Sequence, residues 1–181
     1  MASDTPWPYD DVLHAWWVEP GRLLAGEYPA SHSPMKTAEK VGLLVESGVE
    51  SIVDLTTPDD HLDSYLEALN VAAAEAERRV RHFAHPIPDM GVTDQDGYDR
   101  ILARIRGEMG AGRIVYVHCW GGKGRTSTVV GCLLIDDGLD YDGAIERIAE
   151  LRAGTRKAHE SCPESSSQHR VLREREARAR S

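Results

Sequence analysis

The chain of 181 residues is the size of one domain with one sizeable hydrophobic core. Its formal net charge of −9 argues against nucleic acid or an anionic membrane as the main partner, because both are negatively charged. No apolar run reaches the roughly 18 residues that a transmembrane helix needs, and the acidic, proline-containing start is unlike a secretory signal peptide. The three cysteines, Cys119, Cys132 and Cys162, suit a reducing compartment more than a disulfide framework, so we expect a cytoplasmic protein.

Residues 1–15 are predicted to form a flexible lead-in, and residues 16–181 to form one folded domain. Short apolar and β-branched runs predict strands, and amphipathic or capped stretches predict helices. In chain order these are a strand at 21–29, a helix at 34–48, a strand at 49–55, a helix at 57–79, a strand at 80–87, a helix at 98–110, a strand at 112–118, and helices at 126–137, 141–154 and 168–180. The 57–79 helix is predicted to begin at Thr57 as its N-cap, with Pro58 in the first turn.

The order of these elements predicts the fold class. Strands alternate with helices, and the strands are short continuous apolar runs, which is typical of a sheet covered on both faces. We therefore expect a single α/β domain with a mainly parallel central sheet of about four to five strands and helices on both faces. Ligands of such sheets bind at the carboxyl ends of the strands. The turn after 112–118 and the loop after 80–87 should meet there.

The turn after the 112–118 strand has the sequence HCWGGKGRT, from His118 to Thr126. Gly121, Gly122 and Gly124 lack a Cβ, so the backbone can curl and direct successive N–H groups toward one point. A helix follows at once, and its positive N-terminal end favours an anion. Arg125 can grip two phosphate oxygens with its planar guanidinium. The turn is therefore predicted to bind a phosphate-sized dianion.

A thiol lies at the centre of this predicted anion site. A cysteine at a helix N-terminus beside a cation is typically ionised, so Cys119 is predicted to be a thiolate that attacks phosphorus. The Thr126 hydroxyl could hydrogen-bond that thiolate. His118 is predicted to orient the turn, and a direct effect on the thiol is an equal alternative. Lys123 is either a solvated loop lysine or a second contact to an anionic substrate.

A thiolate attack on a phosphate ester also needs an acid for the leaving group and a water for hydrolysis. The loop HPIPDMGVTD offers Asp89, Asp94 and Asp96. Asp94 and Asp96 come just before a helix, where N-capping explains them. Asp89 lies between a proline and a Met-Gly pair, so it is the preferred acid. Gln168 begins the last helix, and its neutral amide could orient a water.

These motifs together resemble a known family. HCWGGKGRT matches the His-Cys-x5-Arg-Ser/Thr signature of the cysteine-dependent protein tyrosine phosphatase superfamily, which is highly specific. HPIPDMG resembles its mobile acid loop, and CPESSSQHRV resembles the loop with a water-positioning glutamine. GRLLAGEYP and SIVDLT are similar to the leading strands of the compact dual-specificity branch and its bacterial relatives. The resemblance covers roughly residues 16–175, so it makes 16–181 a dual-specificity-phosphatase-like catalytic domain.

The resemblance implies a mechanism without a metal or other cofactor. Cys119 would attack phosphorus and form a phosphocysteine, Asp89 would act as acid and then as base, and Gln168 would place the water. Thr126 would favour departure of the thiolate. The equatorial phosphate oxygens would be held by the loop, that is by Trp120, Gly121, Gly122, Lys123, Gly124 and Arg125. Substrates would be phosphorylated proteins, phosphotyrosine foremost, or small phosphate esters.

Several alternatives follow from departures from the family pattern. No segment resembles the phosphotyrosine-gripping loop of the large tyrosine-specific enzymes. The turn also resembles that of inositol-lipid phosphatases, which carry two lysines. Here Lys123 matches one and Trp120 stands in place of the other, so a phosphatase of soluble inositol phosphates is an alternative. A phosphoprotein-binding pseudo-phosphatase and a sulfur-transfer or arsenate-reducing enzyme are weaker ones. Cys162 could trap an oxidised Cys119 as a disulfide, or be an unrelated thiol.

Overall fold

A computed structural model describes residues 5–181 of the chain. Its single sheet has five strands in the spatial order β1-β2-β5-β3-β4. The strands are β1 (Ala15–Glu19), β2 (Leu23–Gly26), β3 (Val49–Asp54), β4 (Arg81–Ala84) and β5 (Ile114–His118). β1 and β2 form an antiparallel hairpin, whereas the β2–β5, β5–β3 and β3–β4 pairs are parallel. The predicted fold class, an α/β domain with a mainly parallel sheet, is confirmed.

Six helices cover the two faces of this sheet. They are α1 (Pro34–Glu46), α2 (Leu66–Glu75), α3 (Gln95–Gly110), α4 (Gly124–Asp136), α5 (Tyr141–Arg152) and α6 (Ser166–Ala179). One core cluster joins the sheet to α1 and α2, and the other joins it to α3, α4, α5 and α6. In β5, Tyr116 packs in the first cluster and Val117 in the second. A strand buried on both faces explains the continuous apolar run in the sequence.

The start of the chain differs from its prediction. β1 begins at Ala15, at the end of the segment predicted to be a flexible lead-in. Within that segment Trp7 and Leu13 are buried, and the Trp7 indole N–H donates to the Leu13 carbonyl at 2.9 Å. The lead-in prediction is therefore wrong for residues 7–15, because apolar side chains there add to the core. The part of the prediction that covers residues 1–4 lies outside the described residues.

The predicted 57–79 helix is also wrong in its first part. Thr57 does form a capping box with Asp60, but the turn that it caps is a 3-10 helix of three residues, Pro58–Asp60. His61 then takes a left-handed conformation with φ of 52°, which ends the turn. α2 begins only at Leu66. The segment that precedes α2, residues 57–65, includes the 3-10 turn and contributes to the site described below.

Local capping fixes several helix starts near the same edge of the sheet. The Ser33 hydroxyl accepts from the Lys36 N–H, Asp94 accepts from the Gly97 N–H at 2.7 Å, and Ser165 caps α6. Each satisfies a backbone donor that the first helical turn leaves unpaired. Within the described residues, no helix has both the length and the apolar character needed to cross a membrane.

Candidate active site

The phosphate loop, defined here as residues 119–125, joins β5 to α4 at the carboxyl edge of the sheet. β5 is flanked by β2 and β3, so the loop is surrounded by the segments that follow those strands. It forms the base of a cavity of about 380 Å³. The cavity lining includes Cys119, Arg125 and Asp89. The structure thus brings together the nucleophile, the cation and the acid that the sequence predicts.

Two glycines of the loop are required by their surroundings. Gly122 has φ of +73°, and a Cβ there would lie 2.6 Å from the Gly26 carbonyl carbon. A Cβ on Gly124 would lie 2.9 Å from the Gln168 amide nitrogen. Side chains larger than hydrogen would therefore push the loop away from β2 and α6. The glycine-rich sequence allows the loop to curl tightly at the edge of the sheet.

Arg125 is buried beneath the cavity, with 1% of its side chain exposed. Its guanidinium donates to both Asp60 carboxylate oxygens, at 2.9 and 3.0 Å, and to the Ile87 carbonyl at 2.9 Å. It also donates to Asp89 at 3.2 Å. This paired geometry fixes the plane of the guanidinium, which is the group expected to hold phosphate oxygens.

Asp60 is a site residue that the sequence reasoning missed. In the sequence it is an acidic residue in the first turn of a predicted helix. One of its contacts has this local character, because its carboxylate accepts from the Thr57 N–H at 2.7 Å. Burial opposes its ionisation, but hydrogen bonds from Arg125 and Thr57 outweigh that effect and lower the pKa of Asp60 below its usual range. No local pattern distinguishes this aspartate from a simple cap, because its partner Arg125 is far away in the chain.

His118 supports the loop from inside the core. It is fully buried, and its Nδ1 lies 3.0 Å from the Cys119 carbonyl while Nε2 lies 2.7 Å from the Tyr65 hydroxyl. A carbonyl can only accept, so Nδ1 carries the proton and Nε2 accepts from Tyr65. Burial lowers the pKa of His118 against the opposing influence of Asp54. The ring thus contacts the backbone of the turn at the Cys119 carbonyl, and its role in orienting the turn stays a prediction.

The Asp89 loop reaches the cavity and leaves its carboxylate accessible. Half of the Asp89 side chain is exposed (49%), and besides Arg125 it accepts from the Met90 N–H at 3.0 Å. Met90 has φ of 60°, an uncommon conformation for a residue with a side chain. Asp94 instead caps α3 and does not line the cavity. The geometry thus separates the two aspartates as the sequence suggested.

Gln168 is buried against the phosphate loop, but its amide already has protein partners. Its oxygen accepts from the Glu164 and Ser165 N–H groups, both at 3.0 Å, and its nitrogen donates to the Gly91 carbonyl at 3.3 Å. The side chain therefore links α6 to the Asp89 loop. It is not part of the cavity lining, so water positioning by Gln168 stays a prediction.

Thr126 and Lys123 have contrasting surroundings. Thr126 is fully buried, and its hydroxyl has no hydrogen-bond partner among the described residues. The predicted hydrogen bond from this hydroxyl to the Cys119 thiolate therefore stays a prediction. Lys123 instead pairs with Glu160, and Glu164 lies 3.8 Å from its ammonium nitrogen. The Glu160 hydrogen bond is the main cause of the raised pKa of Lys123, so this lysine is not a free cation at the cavity.

The three cysteines are all reduced in this structure. Cys119 is buried at the cavity, and Cys132 is inside the core, where burial raises its pKa to about 12. Cys162 contacts the Ser127 hydroxyl and the Lys123 carbonyl, the latter at 3.0 Å. A redox role for Cys162 stays a prediction. Among the residues at 5–181, no group of three or more His, Cys, Asp or Glu side chains is arranged to hold a metal ion.

Comparison with solved structures identifies similar folds over nearly the whole chain. "Tk-PTP in the active form" has 25% sequence identity and a TM-score of 0.69, with 95% of this chain and 99% of that chain covered. Kinase associated phosphatase has 19% identity and a TM-score of 0.71, with 99% of each chain covered. PTPMT1 in complex with PI(5)P has 20% identity and a TM-score of 0.65, with 88% and 93% covered.

Sequence comparisons identify the family. Cyclin-dependent kinase inhibitor 3 of Rattus norvegicus is 33% identical over 70 residues, which is 38% of this chain and 33% of that protein. The match thus spans about a third of the length of this curated relative. A family model described as "Swiss Army Knife protein, DSP-PTPase phosphatase domain", or PTP-SAK, matches residues 14–181. The chain therefore belongs to the PTP-SAK family of dual-specificity phosphatase domains, a family of cysteine-dependent hydrolases of phosphoric monoesters.

Proposed function

We propose that this protein dephosphorylates phosphorylated proteins, phosphotyrosine foremost, through a phosphocysteine on Cys119. The observation that carries the proposal is the shared cavity in which Cys119, Arg125 and Asp89 meet. The first is a thiol in the loop that leads into α4, the second a fixed guanidinium, and the third an accessible carboxylate. Family membership gives the reaction class, and these contacts support the role of each residue.

In the first step the Cys119 thiolate attacks phosphorus in line with the ester oxygen. The sulfur–phosphorus bond forms as the phosphorus–oxygen bond breaks, and the electron pair of that bond goes to the leaving oxygen. Asp89 donates its proton to this oxygen, which leaves as the tyrosine hydroxyl. Arg125 and the N–H groups of the phosphate loop stabilise the charge on the three equatorial oxygens.

In the second step water attacks the phosphocysteine. Asp89, now ionised, accepts a proton from the water as the new phosphorus–oxygen bond forms and the sulfur–phosphorus bond breaks. The Thr126 hydroxyl donates to the departing sulfur, and inorganic phosphate is released. Gln168 is proposed to orient the water. Its amide nitrogen would then donate a hydrogen bond to the water and no longer to the Gly91 carbonyl.

The surroundings of the cavity favour a protein substrate. Trp120, 55% exposed, also lines a second cavity of about 390 Å³ with Tyr28, Leu62 and Asp63. Residues flanking a phosphorylated side chain would find apolar and polar contacts there. Glu160 and Glu164 are among the lining residues of the first cavity. Because Glu160 pairs with Lys123 and Glu164 lies 3.8 Å from the same ammonium nitrogen, little uncompensated positive charge is left on Lys123 for the additional phosphates of an inositol polyphosphate.

The second candidate is a phosphatase of inositol phosphates or phosphoinositides. One solved structure of similar fold, PTPMT1, is a complex with PI(5)P, and Lys123 occupies the position of one lysine of the inositol-lipid phosphatases. Lys123 is already paired with Glu160, so the charge that would attract a polyanion is largely neutralised. This contact makes the second candidate weaker than the first.

A turnover panel tests both candidates. Phosphotyrosine, phosphoserine and phosphothreonine peptides are compared with inositol phosphates and PI(5)P vesicles, and phosphate release is measured without added metal. We expect the highest kcat/KM on phosphotyrosine peptide and loss of detectable turnover in Cys119→Ser. Rapid quench should trap label on the wild-type protein but not on that variant. Preferred turnover of inositol substrates would overturn the proposed substrate, and full activity of Cys119→Ser would overturn the mechanism.

A further inference from the structure

Carbonyl oxygens of the phosphate loop are held by the surrounding protein. The Cys119 carbonyl accepts from His118, and the Trp120 carbonyl accepts from the Tyr28 N–H at 2.9 Å. In a trans peptide the N–H points away from the C=O of the same peptide unit. Each anchored carbonyl therefore also fixes the direction of the next residue's N–H. These N–H groups are the ones that must face a bound phosphate.

Two further anchors come from a distant segment of the chain, the connection between α5 and α6 at residues 153–165. The Lys157 ammonium donates to the Gly121 carbonyl at 2.9 Å. The Cys162 thiol donates to the Lys123 carbonyl at 3.0 Å. Together with the anchors from His118 and Tyr28, these contacts account for four of the loop's carbonyls. No sequence motif of the phosphate loop specifies the two donors from this connection.

The Lys157 ammonium is itself held in place by a buried carboxylate. Lys157 is only 16% exposed and donates to Glu27 at 2.9 Å. Glu27 also accepts from the His14 N–H at 2.9 Å and from Arg156 at 2.7 Å. Burial opposes ionisation of Glu27, but the hydrogen bonds from His14 and Lys157 outweigh it and lower its pKa. A fixed anion thus locates the cation that holds Gly121.

The Cys162 thiol is suited to donate. Burial raises its pKa to about 11, so the S–H proton is retained at neutral pH. The Ser127 hydroxyl contacts the same sulfur from the first turn of α4. Cys162 thus contacts both the Lys123 carbonyl, near the end of the phosphate loop, and the Ser127 hydroxyl, in the first turn of α4. This role needs no oxidation of Cys162.

We propose that Lys157 and Cys162 are positioning residues that hold the phosphate loop in its anion-binding conformation. The inference rests on the proposed binding of phosphate at residues 119–125. Neither side chain takes part in bond making. Lys157 acts through the Gly121 carbonyl and Cys162 through the Lys123 carbonyl, and each loss would let the neighbouring peptide units rotate. Substrate binding and transition-state stabilisation would then weaken together, because both use the same N–H groups.

The test for Lys157 compares Lys157→Met with Arg156→Met. Both variants remove one cation from Glu27, but only Lys157 contacts the loop. Competitive inhibition by inorganic phosphate and by vanadate is measured on an aryl phosphate substrate, beside the melting temperature. We expect Lys157→Met to weaken phosphate inhibition and kcat/KM by about tenfold or more, the order of a lost hydrogen bond from a charged group. Arg156→Met should keep both values near wild type.

The test for Cys162 compares Cys162→Ala with Cys162→Ser under reducing conditions. Serine keeps a donor of similar size, whereas alanine leaves the Lys123 carbonyl unpaired. We expect alanine to weaken phosphate inhibition several-fold, the order of one neutral hydrogen bond, and serine to restore most of it. If Lys157→Met does not fold, this pair still tests whether the connection between α5 and α6 holds the phosphate loop. Equal phosphate affinity of the alanine and serine forms would overturn the role of Cys162.

The outcomes separate this inference from the proposed function. If the wild-type protein binds neither phosphate nor vanadate, both fall. If the wild-type protein binds them and Lys157→Met binds them as tightly, only the inference on Lys157 falls. Equal losses in Lys157→Met and Arg156→Met would also overturn it, because the effect would then belong to the Glu27 cluster as a whole and not to the contact with the loop.

Discussion

Two aspartates contact the same guanidinium from two different regions of the molecule. Asp60, in the 3-10 turn at 58–60, makes a two-pronged pair with Arg125, and its side chain is 1% exposed. Asp89, in the loop after β4, makes one contact of 3.2 Å and is 49% exposed. The same residue type therefore serves Arg125 in two ways. A buried carboxylate that accepts two hydrogen bonds from the guanidinium can only fix the cation. An exposed carboxylate that accepts one can turn toward a substrate.

This difference teaches that proximity to the cation does not define a catalytic acid. The acid must also be free to carry a proton to and from the reacting atoms. Asp60 is held in its ionised form by Arg125 and Thr57, which lower its pKa. Its position and its charge are both fixed. The proposed roles, positioning for Asp60 and acid catalysis for Asp89, can be separated experimentally because they respond differently to the leaving group.

The largest expected effect is from Asp89→Asn. General acid catalysis typically contributes about 10²–10⁴-fold, so kcat on phosphotyrosine peptide should fall within that range. The loss should be smaller on an aryl phosphate with an acidic leaving group, since that oxygen needs no proton. Vanadate affinity should survive, because Arg125 and the phosphate loop are unchanged. Steady-state kinetics on substrates of graded leaving-group pKa provide the measurement.

Asp94→Ala is the matched control for this prediction. Asp94 lies in the same loop but caps α3 through the Gly97 N–H. Its loss should cost about 0.5–2 kcal/mol of stability and leave the kinetics near wild type. If Asp94→Ala shows the leaving-group-dependent loss and Asp89→Asn does not, the acid has been assigned to the wrong aspartate.

Asp60→Asn is expected to have a smaller and more uniform effect. The amide keeps one acceptor for Arg125 but loses the charge and the second acceptor, so the guanidinium plane is less well fixed. We expect kcat/KM to fall roughly 10–100-fold, equivalent to about 1.4–2.8 kcal/mol and in the range of lost hydrogen bonds to a charged group. The fall should be the same for good and poor leaving groups, with weaker vanadate inhibition. A leaving-group-dependent loss would instead make Asp60 a proton donor.

The two aspartates also show how far the sequence can predict this site. Asp89 was predicted because a mechanism needs an acid and the loop offers one between a proline and a glycine. Cys119 and Arg125 were predicted because the phosphate loop is continuous in sequence. Asp60 and Lys157 could not be predicted in the same way, because their partners Arg125 and Gly121 are brought to them only by the folded sheet.

The fold shows the same division between local and long-range information. The parallel strands and most helices were predictable from apolar runs and caps, since these signals are local. The hairpin strand β1 was missed because Trp16 and Trp17 lie next to a segment that reads as a loose lead-in. The 57–79 helix was predicted too long because Thr57 and Pro58 are good helix-start residues. In the structure the Asp60 carboxylate instead pairs with Arg125, and the left-handed conformation of His61 ends the 3-10 turn.

The smallest expected effect is a pH dependence of the free energy of unfolding, which is caused by buried histidines. Burial lowers the pKa of His118, and likewise of His14 and of His85. A histidine whose folded-state pKa is below its unfolded value of about 6.5 binds its proton more readily when unfolded. Its stabilising contribution is therefore present above pH of about 6.5 and is lost as the pH falls toward the folded-state value.

Urea unfolding between pH 7.5 and 5 measures this effect. We expect the free energy of unfolding to decrease with falling pH below about 6.5, with a limiting slope of about 1.4 kcal/mol per pH unit for each histidine that stays neutral in the fold. The carboxylates with lowered pKa, Asp54, Asp60 and Glu27, add to the loss only at lower pH, below their unfolded values of about 4. A free energy of unfolding that stays constant or rises from pH 7 to pH 5 would contradict the prediction that burial keeps these three histidines neutral in the fold. A protonated His118 would still donate from Nδ1 to the Cys119 carbonyl, but its Nε2 could no longer accept from the Tyr65 hydroxyl.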